Sequence, residues 1–82
     1  GAVKYSIFSN PTMRRKIKGY IFQFTSADHD GRHVHVYRDN CEIGVYDKMA
    51  GPIRGLEKKW NGELREAMNE FIKELNERGY FQ

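Results

Sequence analysis

The fold is decided by the stretch His33-Val34-His35-Val36-Tyr37-Arg38-Asp39-Asn40-Cys41-Glu42-Ile43-Gly44-Val45-Tyr46. Each half alternates polar and apolar residues, the period of a strand with one buried face. Asp39-Asn40 lies between the halves, and both residue types tolerate positive φ. The reading is a β-hairpin closed by a two-residue turn. Such a turn sets the register: Arg38 opposite Cys41, Tyr37 opposite Glu42, Val36 opposite Ile43, His35 opposite Gly44, Val34 opposite Val45 and His33 opposite Tyr46. Val34, Val36, Ile43 and Val45 then share one face, and His33, His35, Tyr37, Glu42 and Tyr46 share the other. Gly44 opposite His35 would leave open space over that imidazole.

The apolar hairpin face needs a cover, and the C-terminal third supplies one. Leu64, Ala67, Met68, Phe71, Ile72 and Leu75 recur at spacings of three and four, the stripe of an amphipathic helix. Asn61 reads as its N-cap, Glu63 suits its first turn, and Gly79 is a C-terminal stop. From Gly62 to Arg78 the helix would run about 25 Å at roughly 1.5 Å per residue. Trp60, just before it, reads as a core or hinge anchor, and Cys41 as a small buried hydrophobe on the apolar hairpin face. Between hairpin and helix, Ala50-Gly51-Pro52 suggests a turn and Ile53 to Leu56 a short strand.

Toward the N terminus, Ile17 to Thr25 is rich in aromatic and β-branched residues and reads as one strand. Ser26 to Arg32 is a polar loop, Asn10-Pro11-Thr12 is a break, and Lys4 to Phe8 is a weak edge strand. The expectation is a single α+β domain over residues 1–82, with its core at about 15–80 and residues 1–14 as an edge strand or flexible segment. It consists of a three- to four-stranded antiparallel sheet, hairpin and meander in style, packed on one C-terminal amphipathic helix.

Composition agrees with that size. Eighty-two residues bury a thin core, and at 39% hydrophobic and 30% charged the chain is polar overall. Eleven aromatic residues argue against disorder. No stretch approaches the roughly 18 apolar residues of a membrane span, and no leader-like segment opens the chain. Gly1-Ala2 could be a tag remnant. A lone cysteine excludes an internal disulfide, so a reducing cytoplasm is the expected compartment.

The net charge of +3 is unevenly spread. Residues 1–38 hold seven basic and two acidic residues, a net of five positive, whereas Glu63 to Arg78 holds three basic and five acidic, a net of two negative. The densest positive cluster is Arg14-Arg15-Lys16-Ile17-Lys18. It is either a phosphate-contacting patch or a solvated basic loop that protects a strand edge from aggregation.

All three histidines fall within seven residues, and His33 and His35 must point the same way. Three chemistries fit. His29, His33 and His35 could hold zinc with an open position. Alternatively, His33 and His35 could act without metal as a ribonuclease-like acid–base pair, with Arg14, Arg15, Lys16, Arg32 and Arg38 receiving phosphate. The third option is a polar docking surface for a partner protein, with no catalysis.

The run from Lys18-Gly19-Tyr20-Ile21-Phe22-Gln23-Phe24 through Arg32-His33-Val34-His35-Val36 resembles a family of small bacterial and archaeal proteins, the domain of unknown function numbered forty-one sixty. The family pattern is a strand, a polar loop, then Pro-Pro-His-Phe/Val-His-Val opening the next strand. Glu42-Ile43-Gly44-Val45-Tyr46, the Gly51-Pro52 turn and a C-terminal helix follow in the same order, so the likeness covers residues 15–80. Gly31-Arg32 stand where the family has two prolines. By position His33 and His35 match the motif, and His29 matches a polar loop position more weakly. The resemblance implies no known reaction. It implies a two-gene setting like that of toxin–antitoxin pairs, with this chain the toxin-like member, RNA as its target and an antitoxin-like small protein as its partner.

Overall fold

The computed structural model of the chain describes residues 12–25 and 33–80. Five antiparallel strands follow one another in space as they do in sequence: β1 Thr12–Ile17, β2 Tyr20–Thr25, β3 His33–Arg38, β4 Cys41–Asp47 and β5 Gly51–Ile53. A 3₁₀ turn, Leu56–Lys58, leads to helix α1, Gly62–Glu77, which crosses one face of the sheet. This is the expected α+β fold with a larger sheet. The predicted strand Ile17–Thr25 is instead the junction of two strands. Lys18 and Gly19 both take positive φ, 53° and 86°, and so form a tight hairpin turn. Arg14, Arg15 and Lys16 therefore lie within β1 and not in a loop, and Lys18 opens the turn. The predicted turn at Gly51-Pro52 is part of β5, where Pro52 is tolerated because β5 is the edge of the described sheet. The predicted strand beyond Ile53 is interrupted at once, since Arg54 and Gly55 take positive φ and Leu56 opens the 3₁₀ turn.

The β3–β4 turn is as expected: Asp39 and Asn40 have φ 54° and 65°, and Arg38 pairs with Cys41 and Tyr37 with Glu42. Beyond that the predicted register fails. A bulge at Ile43 places Val36 opposite Gly44, His35 opposite Val45, Val34 opposite Tyr46 and His33 opposite Asp47. Val45 and Tyr46 thereby exchange the faces assigned to them. Tyr46 turns to the helix side and stacks on Trp60 with ring centroids 5.6 Å apart. Trp60 is thus the core anchor expected of it. Gly44 sits on the helix side as well, pressed against Leu56. Val45, not Gly44, is therefore the residue opposite His35. Cys41 also departs from expectation: it is exposed, directly after the turn.

The core face comprises Met13, Tyr20, Phe22, Phe24, Val34 and Val36 against Leu56, Leu64, Ala67, Met68, Phe71 and Leu75. Phe22 and Phe71 stack at 5.4 Å. Each large buried side chain contributes roughly 1.5–3 kcal/mol before conformational entropy is subtracted. Both helix ends are closed. The Leu64 N–H donates to Asn61 Oδ1 at 2.8 Å. At the other end Gly79 takes φ 78°, its N–H reaches the Asn76 carbonyl, and the Tyr80 N–H reaches that of Leu75. This Schellman arrangement also lays Tyr80 against the core. Among the described residues no helix is long and apolar enough to cross a membrane. The expected edge strand at Lys4–Phe8 and the loop carrying His29 and Arg32 lie outside the described residues.

Candidate functional site on the histidine face of the sheet

Strand alternation sends His33, His35 and Tyr37 away from α1. Cross-strand pairing sets Gln23 beside His35 and Ile21 beside Tyr37. One strand further, Arg14 pairs with Gln23 and Lys16 with Ile21. The sheet thus brings Arg14, Lys16, Gln23, His35 and Tyr37 onto one face. On its other side this face continues through Glu42, Val45 and Asp47.

The two histidines occupy different environments. His33 Nε2 lies 2.9 Å from Asp47 Oδ1, and the Asp47 side chain is only 4% exposed. Asp47 Oδ2 accepts from the Met49 N–H at 2.9 Å and the Ala50 N–H at 2.8 Å. Asp47 therefore ties the β4–β5 turn to β3, and His33 belongs to that tie. His35 is more accessible. Its Nδ1 lies 3.3 Å from Glu42 Oε2, at the edge of hydrogen-bond distance, and Glu42 is itself 43% exposed. A carboxylate beside one ring nitrogen orients an imidazole for proton transfer at the other.

Arg14 is positioned twice. Its Nη1 donates to Gln23 Oε1 at 2.6 Å, and its guanidinium carbon lies 5.8 Å from the Tyr37 ring centroid. Lys16 is exposed on the same strand. Two of the other predicted phosphate contacts, Arg15 and Arg38, do not join them, and Arg32 lies outside the described residues. Arg15 has the opposite parity, faces α1, and donates from Nε and Nη2 to Glu74 Oε2 at 3.2 and 3.0 Å. Arg38 likewise faces α1, with its guanidinium 4.7 Å from the Tyr20 ring centroid. Both are two-residue alternation effects, since Arg38 shares the parity of Val34 and Val36. Among the described residues no group of three His, Cys, Asp or Glu side chains converges on a metal position. His29, the third member of the zinc set, lies outside those residues.

Sequence reasoning missed Gln23 and Asp47. Asp47 was legible as the polar residue opening Asp47-Lys48-Met49-Ala50-Gly51, the place where a carboxylate caps following N–H groups. Gln23 gave no signal, because its role depends on the pairing of β1, β2 and β3. Compared with family models, curated proteins and solved structures, the chain matches none.

Proposed function

We propose that the chain is a nucleic-acid-directed protein, the toxin-like member of a two-protein module, and that it engages RNA with the histidine face. The observation that carries the RNA part of this reading is the alignment on one face of two cations, an aromatic ring and an imidazole: Arg14, Lys16, Tyr37 and His35. The two-protein setting rests on the resemblance carried by the His33-Val34-His35-Val36 stretch. Cations meet phosphate, an aromatic side chain accepts a stacked base, and an imidazole moves protons near neutral pH. RNA cleavage of the metal-free kind needs a base for the 2′-hydroxyl proton and an acid for the 5′-oxygen leaving group. His35 is assigned the central role, with Glu42 as its orienting carboxylate. His33 is its companion on the strand, held by Asp47.

The test is RNA cleavage by the purified protein with and without EDTA, beside His35→Ala. Cleavage that survives EDTA and is lost in His35→Ala supports acid–base chemistry. Cleavage lost in EDTA and restored by added zinc, but not by magnesium, assigns the histidines to zinc instead. No cleavage above the His35→Ala control refutes the nuclease reading for free RNA and leaves a surface that docks a protein partner. Binding supplies a second readout. Arg14→Ala and Lys16→Ala should each reduce the salt dependence of RNA affinity by about one ion.

A further inference from the structure

The opposite side of the sheet carries a cavity of about 350 Å³, lined by Tyr20, Arg38, Asp39, Ile43, Lys59 and Asn61. It lies where the β3–β4 turn meets the segment entering α1. Its lining is mixed, with buried Tyr20 and half-buried Ile43 beside the polar groups of Arg38, Asp39, Lys59 and Asn61. Its rim is charged. The Arg38 guanidinium is held 4.7 Å from the Tyr20 ring centroid, which restrains its donors without consuming them. Arg15, Lys18 and Arg78 are each paired with a glutamate, whereas among the described residues Arg38 and Lys59 have no carboxylate partner. The Asn61 side-chain oxygen is committed to the Leu64 N–H.

We propose that this cavity binds a small phosphomonoester bearing sugar hydroxyls, with Arg38 and Lys59 holding the phosphate. Two cations beside Tyr20 and Ile43 suit a compact anion next to a less polar body. Asp39, the one acid on the rim, opposes a bare anion and accepts hydrogen bonds from hydroxyl groups. It therefore selects a sugar phosphate over inorganic phosphate. The volume lies at the lower end of the roughly 300–1,000 Å³ range of small-molecule sites, which limits the occupant to about one nucleotide. Arg38 and His35 have opposite parity on β3, so this site is separate from the histidine face and stands or falls without it.

The experiment is an amide NMR titration of the full chain with ribose 5-phosphate, adenosine 5′-monophosphate, inorganic phosphate and ribose. Saturable shifts are expected around residues 38–43 and 59–61 with the first two ligands, and weaker binding of phosphate. A nucleotide preference would come from the base, and equal affinity from the shared sugar phosphate. Arg38→Ala and Lys59→Ala, both at exposed positions, should each weaken binding by about tenfold or more, as expected for a hydrogen bond to a charged group. Asp39→Asn should erase the preference for ribose 5-phosphate over phosphate. Shifts that do not saturate, shifts that spare residues 38–43 and 59–61, or unchanged binding in both cation variants would overturn the site. Phosphate binding as tightly as ribose 5-phosphate would overturn the ligand class.

Discussion

Replacing Gly44 with alanine tests the bulge that sets the arrangement of this sheet. A Cβ at Gly44 would meet Leu56 N at 2.3 Å, Leu56 Cβ at 2.5 Å and Leu56 Cα at 2.7 Å. Two of these are backbone atoms, so no rotamer change relieves the contact. Ordinary carbon contacts lie near 3.5–4.0 Å, so the 3₁₀ turn would have to withdraw by roughly 1 Å. Withdrawal pulls fully buried Leu56 out of the core, where its burial is worth roughly 1.5–3 kcal/mol. Gly44 also has φ 154°, in the region that favours glycine, and a strained backbone costs about 1–3 kcal/mol. The expected loss is about 3–5 kcal/mol, against a total of roughly 4–12 kcal/mol for a chain of this length. Urea unfolding followed by Trp60 emission reports it directly, since Trp60 stacks on Tyr46, two residues from Gly44. The melting temperature should fall by more than about 10 °C. Gly62→Ala is the control. A Cβ there meets nothing within 4 Å, so the variant should match the parent or gain up to about 1 kcal/mol. A Gly44→Ala protein within about 0.5 kcal/mol of the parent would show that the close approach of β4 to the 3₁₀ turn is not a constraint.

Asp47→Ala should cost about 1–3 kcal/mol in denaturant unfolding, because the Met49 and Ala50 N–H groups and His33 all lose an acceptor. It should also speed amide exchange in the β4–β5 turn. Asn61→Ala removes the acceptor of the Leu64 N–H and should lower stability by about 1 kcal/mol. Phe71→Ala empties the centre of the helix–sheet contact against Phe22 and should cost about 3–5 kcal/mol, enough to unfold much of the population near body temperature. Arg15→Ala should change stability by about 1 kcal/mol or less, since its pair with Glu74 is partly exposed, and high salt should shrink that difference further.

The histidine face and the Arg38 cavity divide the residues that charge alone groups together. Arg14 to Lys16 and Arg38 look alike in a charge count, but alternation sends Arg14 and Lys16 to one side of the sheet and Arg15 and Arg38 to the other. Arg15 is absorbed by Glu74, whereas Arg38 remains available to a ligand.

Local chemistry determined much of this molecule. The stripe from Leu64 to Leu75, the Asn61 cap, the Gly79 stop and the Asp39-Asn40 turn depend on spacing or on one residue's backbone preference, and each is realised in the structure. The pointing of His33 and His35 to one side followed from strand alternation alone. Tertiary structure decided the rest. The Lys18-Gly19 turn lay inside a run that reads equally well as one strand, and its pairing partner β1 looked like a charged loop. Gly44 within a strand pattern was the one local hint of a bulge. The slip itself was chosen by what lies opposite: Tyr46 gains Trp60, Asp47 gains His33, and Gly44 admits Leu56. A strand's side chains repeat every two residues, so one extra residue exchanges faces for everything beyond it, and only the packing on both faces determines whether that residue is present.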